Sequence, residues 1–280
     1  MNNPWNNRRP SARPPRATPL PRPEVPATGG GGRGGSEELR LYGLNAVLAA
    51  FEARPQALRK LYLLEARIPR LQPLLKWCVA NRVGYRVVED GDLNKLAGTT
   101  HHEGVVADVL RAPALPLAQW LEQVGDGPAL ALWLDGVGNP HNLGAILRSA
   151  AHFGVAGVLL PQDSPLALSG AAARVAEGGS EAVTLVQAGA AADAFAPLRA
   201  AGFGLAATLV HGGDDLFAAR LPQRLVYVMG AEGEGMDRGL AKACDLALSI
   251  PGTGRVESLN VAAATAVLLA QWASGRARGG

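Results

Sequence analysis

The sequence predicts an α/β protein: a parallel sheet covered by helices on both faces, preceded by a smaller α/β unit. Three observations carry this. Short apolar runs alternate with helix-length amphipathic segments along most of the chain. Runs such as ALALWLD, FGLAATL and RLVYVMG are apolar at nearly every position, the pattern of strands buried on both faces. Gly- and Pro-bearing turns separate the runs, and no internal repeat is visible.

Residues 1–35 are rich in Pro, Gly, Arg and Asn and end in GGGGRGG. Such a segment has too little apolar surface to offset its ordering entropy, so a disordered tail is expected over 1–38, with order beginning near Glu38. The small unit is expected over 39–110. Leu44, Val47, Leu48 and Phe51 repeat at helical spacing; LRKLYLLE reads as a strand, RIPRLQPLLKWCVANR as a helix, GYRVVE as a strand, DGDLNKLAG as a short helix and GVVADVL as a strand. Residues 111–127 read as a linker to the larger unit, 128–280.

In the larger unit ALALWLD (129–135) is a buried strand, followed by a helix from Asn142 to Phe153 that stops at Gly154, the usual left-handed terminator. AGVLLP is a strand, LSGAAARVAEG a helix, AVTLV a strand and 190–201 a helix. FGLAATL, RLVYVMG and DLALSIP complete the strands, and 258–273 is a final helix, apolar nearly all round. Such a helix needs burial on more than one side, which an intramolecular core or a homodimer interface would supply.

Composition narrows the function. No apolar run reaches the roughly 18 residues a membrane span needs, and no apolar segment follows the N-terminal arginines as in a secretory signal. Cys78 and Cys244 are far apart and form no CxxC, which argues against a disulfide framework or zinc site and for a reducing, cytoplasmic setting. Net charge is +3, yet the first 35 residues carry six Arg against Glu24, so the remainder is slightly acidic at −2. A second basic stretch runs from Arg54 to Arg86. Basic charge gathered in the N-terminal third suits a polyanion such as RNA, although a merely solvated surface has the same charge.

The chemistry is expected past the carboxyl ends of the strands, where open parallel sheets bind ligands. Three strand ends are unusual: LDGVGNPHNLGAILRS, VMGAEGEGM (228–236) and SIPGTGRVESLN (249–260). Each has glycines that let backbone approach a ligand, and each supplies polar side chains. The chain has no GxxxxGK[ST], no well-placed GxGxxG and no GxSxG. His101 and His102 precede Glu103, but adjacent histidines without further ligands read as a turn, and no metal site is expected.

Taken together, NPHNLGAILRSAAHFGV, GAEGEGM and IPGTGRVESLNVAAATAVLLAQW resemble, in order and spacing, the three motifs of the SpoU/TrmH family of RNA ribose 2′-O-methyltransferases, part of the SPOUT class. The resemblance covers most of 128–273. YGLNAVLAAF and TTHHEGVVA resemble, more loosely, the family's N-terminal substrate-binding domain of the L30e type. The resemblance implies a SPOUT methyltransferase domain with a C-terminal trefoil knot, S-adenosyl-L-methionine as cofactor, an rRNA or tRNA substrate and a homodimer. It implies Asn142, Arg148, Glu232, Ser258 and Asn260 as catalytic residues, and Gly230, Ile250 and Leu259 as cofactor contacts. Thr208 joins the cofactor candidates by its place at the end of GLAATL.

The residue types suit the reaction. The methyl donor is already activated, so the difficulty lies in a weakly acidic alcohol that must lose its proton and be aligned. Alignment of this kind is worth about 7–11 kcal/mol in favourable cases. The fork of Arg148 suits phosphate, and helical side chains lean toward the N-terminus, so Arg148 is expected to reach back toward Asn142. A guanidinium holds its proton to a pKa above about 12, which favours phosphate binding and alkoxide stabilisation over a role as base. Asn142 is placed to cap its helix or to face a ligand. Ser258 is expected to cap the last helix, with Asn260 in its first turn. Two other readings remain: a non-catalytic RNA-binding or assembly protein that keeps the fold, and a different nucleotide-binding enzyme. The intact polar set argues against the first of these.

Overall fold

The computed structural model describes residues 38–230 and 235–277. Of the tail expected over 1–38, residues 1–37 lie outside the described residues, as does the candidate Glu232, while Glu38 already begins a strand.

The small unit runs β1 (Glu38–Tyr42), α1 (Leu44–Ala53), β2 (Leu58–Leu63), α2 (Ile68–Ala80), β3 (Gly84–Val87), α3 (Asp90–Ala97) and β4 (Val105–Leu110). Its four strands form one mixed sheet in the order β1-β4-β2-β3. Strand β1 is an element the periodicity did not show. Only Leu39 and Leu41 alternate inward before the chain turns at Gly43 (φ 95°) into α1, too few residues to register as a period-2 run. Glu103 caps the start of α1 from a distance, its carboxylate accepting the Leu44 N–H at 2.9 Å. The His101–His102 pair is structural. His102 is buried; its Nδ1 accepts the Gly104 N–H at 3.0 Å, so Nε2 carries the proton and donates to Asn94 Oδ1 at 3.1 Å.

The chain then runs β5 (Leu115–Pro116), α4 (Leu117–Gln123), β6 (Ala129–Leu134), α5 (Pro140–Phe153), β7 (Gly157–Pro161), α6 (Gly170–Ala176), α7 (Gly179–Ala182), β8 (Leu185–Gly189) and α8 (Ala191–Ala200). It ends with β9 (Gly204–Leu209), β10 (Asp214–Asp215), β11 (Arg224–Met229), α9 (Arg238–Lys242), β12 (Leu246–Ser249) and α10 (Val261–Ala277). Eight strands form a second sheet in the order β10-β12-β9-β11-β6-β7-β8-β5, and every pairing in it is parallel. The segment 111–127 supplies the short edge strand β5 and helix α4, whose Trp120 is buried against the sheet.

Both faces of this sheet are covered, as near-continuous apolar strands require. On β6, Leu130, Leu132 and Leu134 point into a core shared with α5, α6 and α10. Ala129, Ala131 and Trp133 point into the opposite core, with α8 and Trp120. The strand expected at AVTLV begins later, at Leu185, because Gly179–Ala182 closes as a helical turn first.

Helix α10 is not buried all round. Val261, Thr265, Leu268, Leu269 and Trp272 face the core, while Ala263 and Ala270 are exposed. No helix among the described residues is long and apolar enough to cross a membrane.

Candidate active site

The four strands β12, β9, β11 and β6 are neighbours in the sheet and run parallel, so their carboxyl ends open on one edge. The three loops singled out in the sequence leave from β6, β11 and β12, and Thr208 sits at the end of β9. That the three strand ends share one edge follows from strand order, which the sequence does not reveal.

After β6 the chain makes a tight turn through Asp135 and Gly136 (φ 68°) into α5. Pro140 occupies the first turn, where its missing N–H costs nothing. The cap is Asn139, not Asn142: Asn139 Oδ1 accepts the His141 N–H at 2.9 Å. Asn142 instead accepts a hydrogen bond from Asn260 Nδ2 at 3.1 Å, joining the first and third loops.

The capping expectation for the last helix also needs correction. Asn260 does the work assigned to Ser258, its Oδ1 accepting from the N–H groups of Ala262 (2.9 Å) and Ala263 (3.4 Å). Helix α10 begins at Val261, so Ser258 stands too far upstream to reach those donors. Ser258 is exposed, as is every residue of 251–260. Asn260 thus uses both ends of its amide, the oxygen on α10 and the nitrogen on Asn142.

Arg148 lies two turns into α5, exposed, with no hydrogen bond or ion pair to the described residues. At about 100° per residue it stands roughly 120° round the helix from Asn142. A hydrogen bond joins Asn142 and Asn260, and Arg148 makes none with either.

Gly230 directly follows β11, and a Cβ there would fall 2.7 Å from the backbone of Met236, so only glycine fits. Ile250 follows β12 and packs half-buried on the core edge. Leu259 and Val256 project from the third loop, 48% and 72% exposed. Thr208 is satisfied within the sheet, its hydroxyl donating to the Val228 carbonyl at 3.0 Å. The set fits S-adenosylmethionine. A glycine-tight backbone, a half-buried isoleucine and uncovered apolar side chains at one sheet edge provide main-chain donors and acceptors beside apolar surface.

Sequence reasoning passed over Asp135, in the turn after β6. Its backbone N–H donates to the Met229 carbonyl at 2.9 Å, and burial, together with the negative charge of Asp237, holds its carboxyl above the usual carboxylate range. The available signal was an acid directly after the apolar run ALALWL. Among the described residues, no three His, Cys, Asp or Glu side chains gather as a metal site.

A parallel sheet with the strand ends of β6, β11 and β12 on one edge is thus joined to a small mixed-sheet unit. The profile of the SpoU rRNA Methylase family matches residues 129–270, and that for RNA 2′-O ribose methyltransferase substrate binding matches 40–113. The uncharacterized tRNA/rRNA methyltransferase YfiF of Escherichia coli is 40% identical over 237 residues, 85% of this chain and 68% of that protein. The 23S rRNA (guanosine-2′-O-)-methyltransferase RlmB of Ralstonia nicotianae is 38% identical over 240 residues, 84% of this chain and 94% of that protein. A putative TrmH-family RNA methyltransferase from Porphyromonas gingivalis superimposes with TM-score 0.64 at 25% identity, covering 84% of this chain and 89% of that one. The AdoMet-bound rRNA methyltransferase of Sinorhizobium meliloti shares the fold, with TM-score 0.73 at 23% identity over 86% of this chain and 88% of that one.

The chain belongs to the SpoU rRNA methylase family. It is an S-adenosylmethionine-dependent RNA 2′-O-ribose methyltransferase.

Proposed function

We propose that the substrate is a guanosine of 23S rRNA, methylated on its ribose 2′-hydroxyl. The observation that carries this is the match to 23S rRNA guanosine methyltransferases along most of both chains. Residues 40–113 hold the RNA and 128–280 perform the transfer. The basic tail 1–38 adds sequence-independent attraction to phosphate.

The bound cofactor supplies an electrophilic methyl group. Gly230, Ile250 and Leu259 hold it, with main chain contributing most of the polar contacts; Thr208 shapes the floor from β9. Asn142 and Asn260 form one polar unit that positions the target ribose. Arg148 takes the phosphate beside that ribose and stabilises the alkoxide as it forms, since a guanidinium of such high pKa holds its proton. Ser258, exposed in the third loop, contacts the nucleotide, and Glu232 completes the second loop. A trefoil knot formed by the C-terminal part fits this family reading. So does a homodimer that covers the alanine face of α10, where Ala263 and Ala270 are exposed. A cytoplasmic location follows from a ribosomal substrate.

Incubating the purified chain with radiolabelled S-adenosylmethionine and separate 23S, 16S and tRNA fractions tests the reading. Label in an alkali-resistant 2′-O-methylguanosine of 23S rRNA is the expected result. Label confined to tRNA, or to another nucleoside, overturns the substrate assignment. No transfer to any RNA returns the chain to the RNA-binding reading.

A further inference from the structure

Two consecutive glycines, Gly178 and Gly179, separate the substrate-binding region from the helix that carries Arg148. A Cβ on Gly178 would stand 3.0 Å from the Cβ of Ala49 on α1, and Gly178 has φ 95°. A Cβ on Gly179 would stand 2.7 Å from the Leu147 carbonyl oxygen and 3.0 Å from the Cα of Arg148. The small unit and the Arg148 turn are thus held apart by one peptide's thickness. Helix α6, just before, is shared between two cores: Ala172 and Ala176 are buried with the large sheet, Ala173 with the small one.

Polar contacts ring this junction. The Glu181 carboxylate accepts from Arg54 Nε at 2.7 Å and Nη2 at 2.9 Å, a two-point fork, and the Glu181 side chain is only 9% exposed. Arg54 also donates to the Leu110 carbonyl at the end of β4. Arg174 pairs with Glu103 at 3.1 Å and donates to the His101 carbonyl at 2.7 Å. Asn45 donates to Glu177, and Arg111 donates to the Leu168 carbonyl at 2.6 Å. An interface with a sheltered, forked ion pair and backbone-tight glycines differs from two domains tethered by a flexible linker, for which relative motion is the default.

We propose that α6 and α7 form a docking wedge that fixes the substrate-binding region in one orientation against the Arg148 turn, with Arg54, Glu181, Gly178 and Gly179 as positioning residues. RNA gripped by the small unit is then presented to Arg148 in one register, and the wedge selects which 2′-hydroxyl reacts. The inference rests on residues 40–113 gripping RNA and on Arg148 acting at the site. Fixed placement works on the transfer step rather than on RNA affinity, because orientation, not contact, is what the wedge adds.

The test uses the full chain and the RNA that the wild type methylates. Glu181→Ala is compared with Glu181→Gln, which keeps size and an acceptor, and with the charge-swapped pair Arg54→Glu/Glu181→Arg. In Glu181→Ala, dissociation constants for RNA and S-adenosylmethionine are expected to stay within about twofold. Single-turnover transfer at saturating RNA is expected to fall about tenfold or more, with methyl groups appearing at additional nucleotides. Glu181→Gln should fall less, and the swapped pair should recover part of the rate despite losing the bond to Leu110. An unchanged rate and an unchanged methylation position in Glu181→Ala would overturn the proposal. So would a loss explained wholly by weaker RNA binding, or, if Glu181→Ala does not fold, wild-type behaviour in Glu181→Gln. Failure of the function reading looks different: the wild type itself would then transfer no methyl group.

Discussion

Asn260 donates its side-chain amide to Asn142 across 3.1 Å while its oxygen caps α10. Two loops 118 residues apart are thereby tied at the start of two helices that pack on each other. One end of this side chain caps a helix and the other ties two loops, and chemistry can separate the two roles.

Asn260→Asp keeps the capping oxygen and removes the donor to Asn142. It is expected to leave the melting temperature nearly unchanged and to lower methyl transfer by about tenfold or more. Asn260→Ala loses both functions, adding a stability loss of about 1 kcal/mol. Calorimetry alongside an RNA methylation assay checks the pair; equal activity in Asn260→Asp and wild type would remove Asn260 from the site.

Arg148→Ala is expected to abolish transfer while cofactor affinity stays within about twofold and stability changes by less than about 0.5 kcal/mol, the side chain being exposed. Arg148→Lys keeps the charge but not the fork and should recover only part of the rate. Wild-type turnover in Arg148→Ala would refute its assigned role.

Gly230→Ala places a methyl group 2.7 Å from the Met236 backbone, so the second loop must shift. S-adenosylmethionine binding, read by titration calorimetry, is expected to weaken about tenfold or more, with RNA affinity unaffected.

Asp135 gives a pH signature. Its carboxyl is raised by burial and by Asp237, so the folded state holds that proton more tightly than the unfolded chain does. Stability therefore declines as pH rises from the ordinary carboxylate range through the raised folded value, and the penalty is constant above it. Asp135→Asn removes the penalty: its melting temperature should exceed that of wild type at pH 7, and the gain should vanish in acid below the ordinary Asp range. A gain that persists there would point to a cause other than ionisation.

Deleting residues 1–35 removes six arginines. The slope of log affinity for RNA against log salt is expected to become shallower by up to about 4, at roughly 0.7 per phosphate contact on a single strand. An unchanged slope would show that the tail does not touch RNA.

The strands of the large sheet were legible because burial on both faces leaves a run such as ALALWL apolar at every position. The strand β1 was not, since two inward residues before a glycine turn carry too little pattern. The strand β5 has two residues and exists only because β8 offers it an edge. The cap of α10 was misread and that of α5 left open between two roles for Asn142, for one reason. Asn, Ser and Asp are interchangeable as caps in sequence, and the residue that caps is set by where the first helical turn closes. Asp135 was passed over because its raised proton affinity comes from burial in the folded chain and then from Asp237, more than a hundred residues away, neither of which is a local pattern.

The amino-acid sequence by itself determined the class of fold, a smaller α/β stretch ahead of a larger one, and three glycine-bearing strand ends. These rest on local information: the period of apolar residues and the order of glycine-rich turns. Only the tertiary structure decided that β12, β9, β11 and β6 lie side by side, that Asn260 meets Asn142, and that Gly178 and Gly179 seat the small unit against the Arg148 turn. Strand order and backbone-tight packing are relations between residues distant along the chain, fixed by which surfaces exclude water together, and no local pattern encodes them.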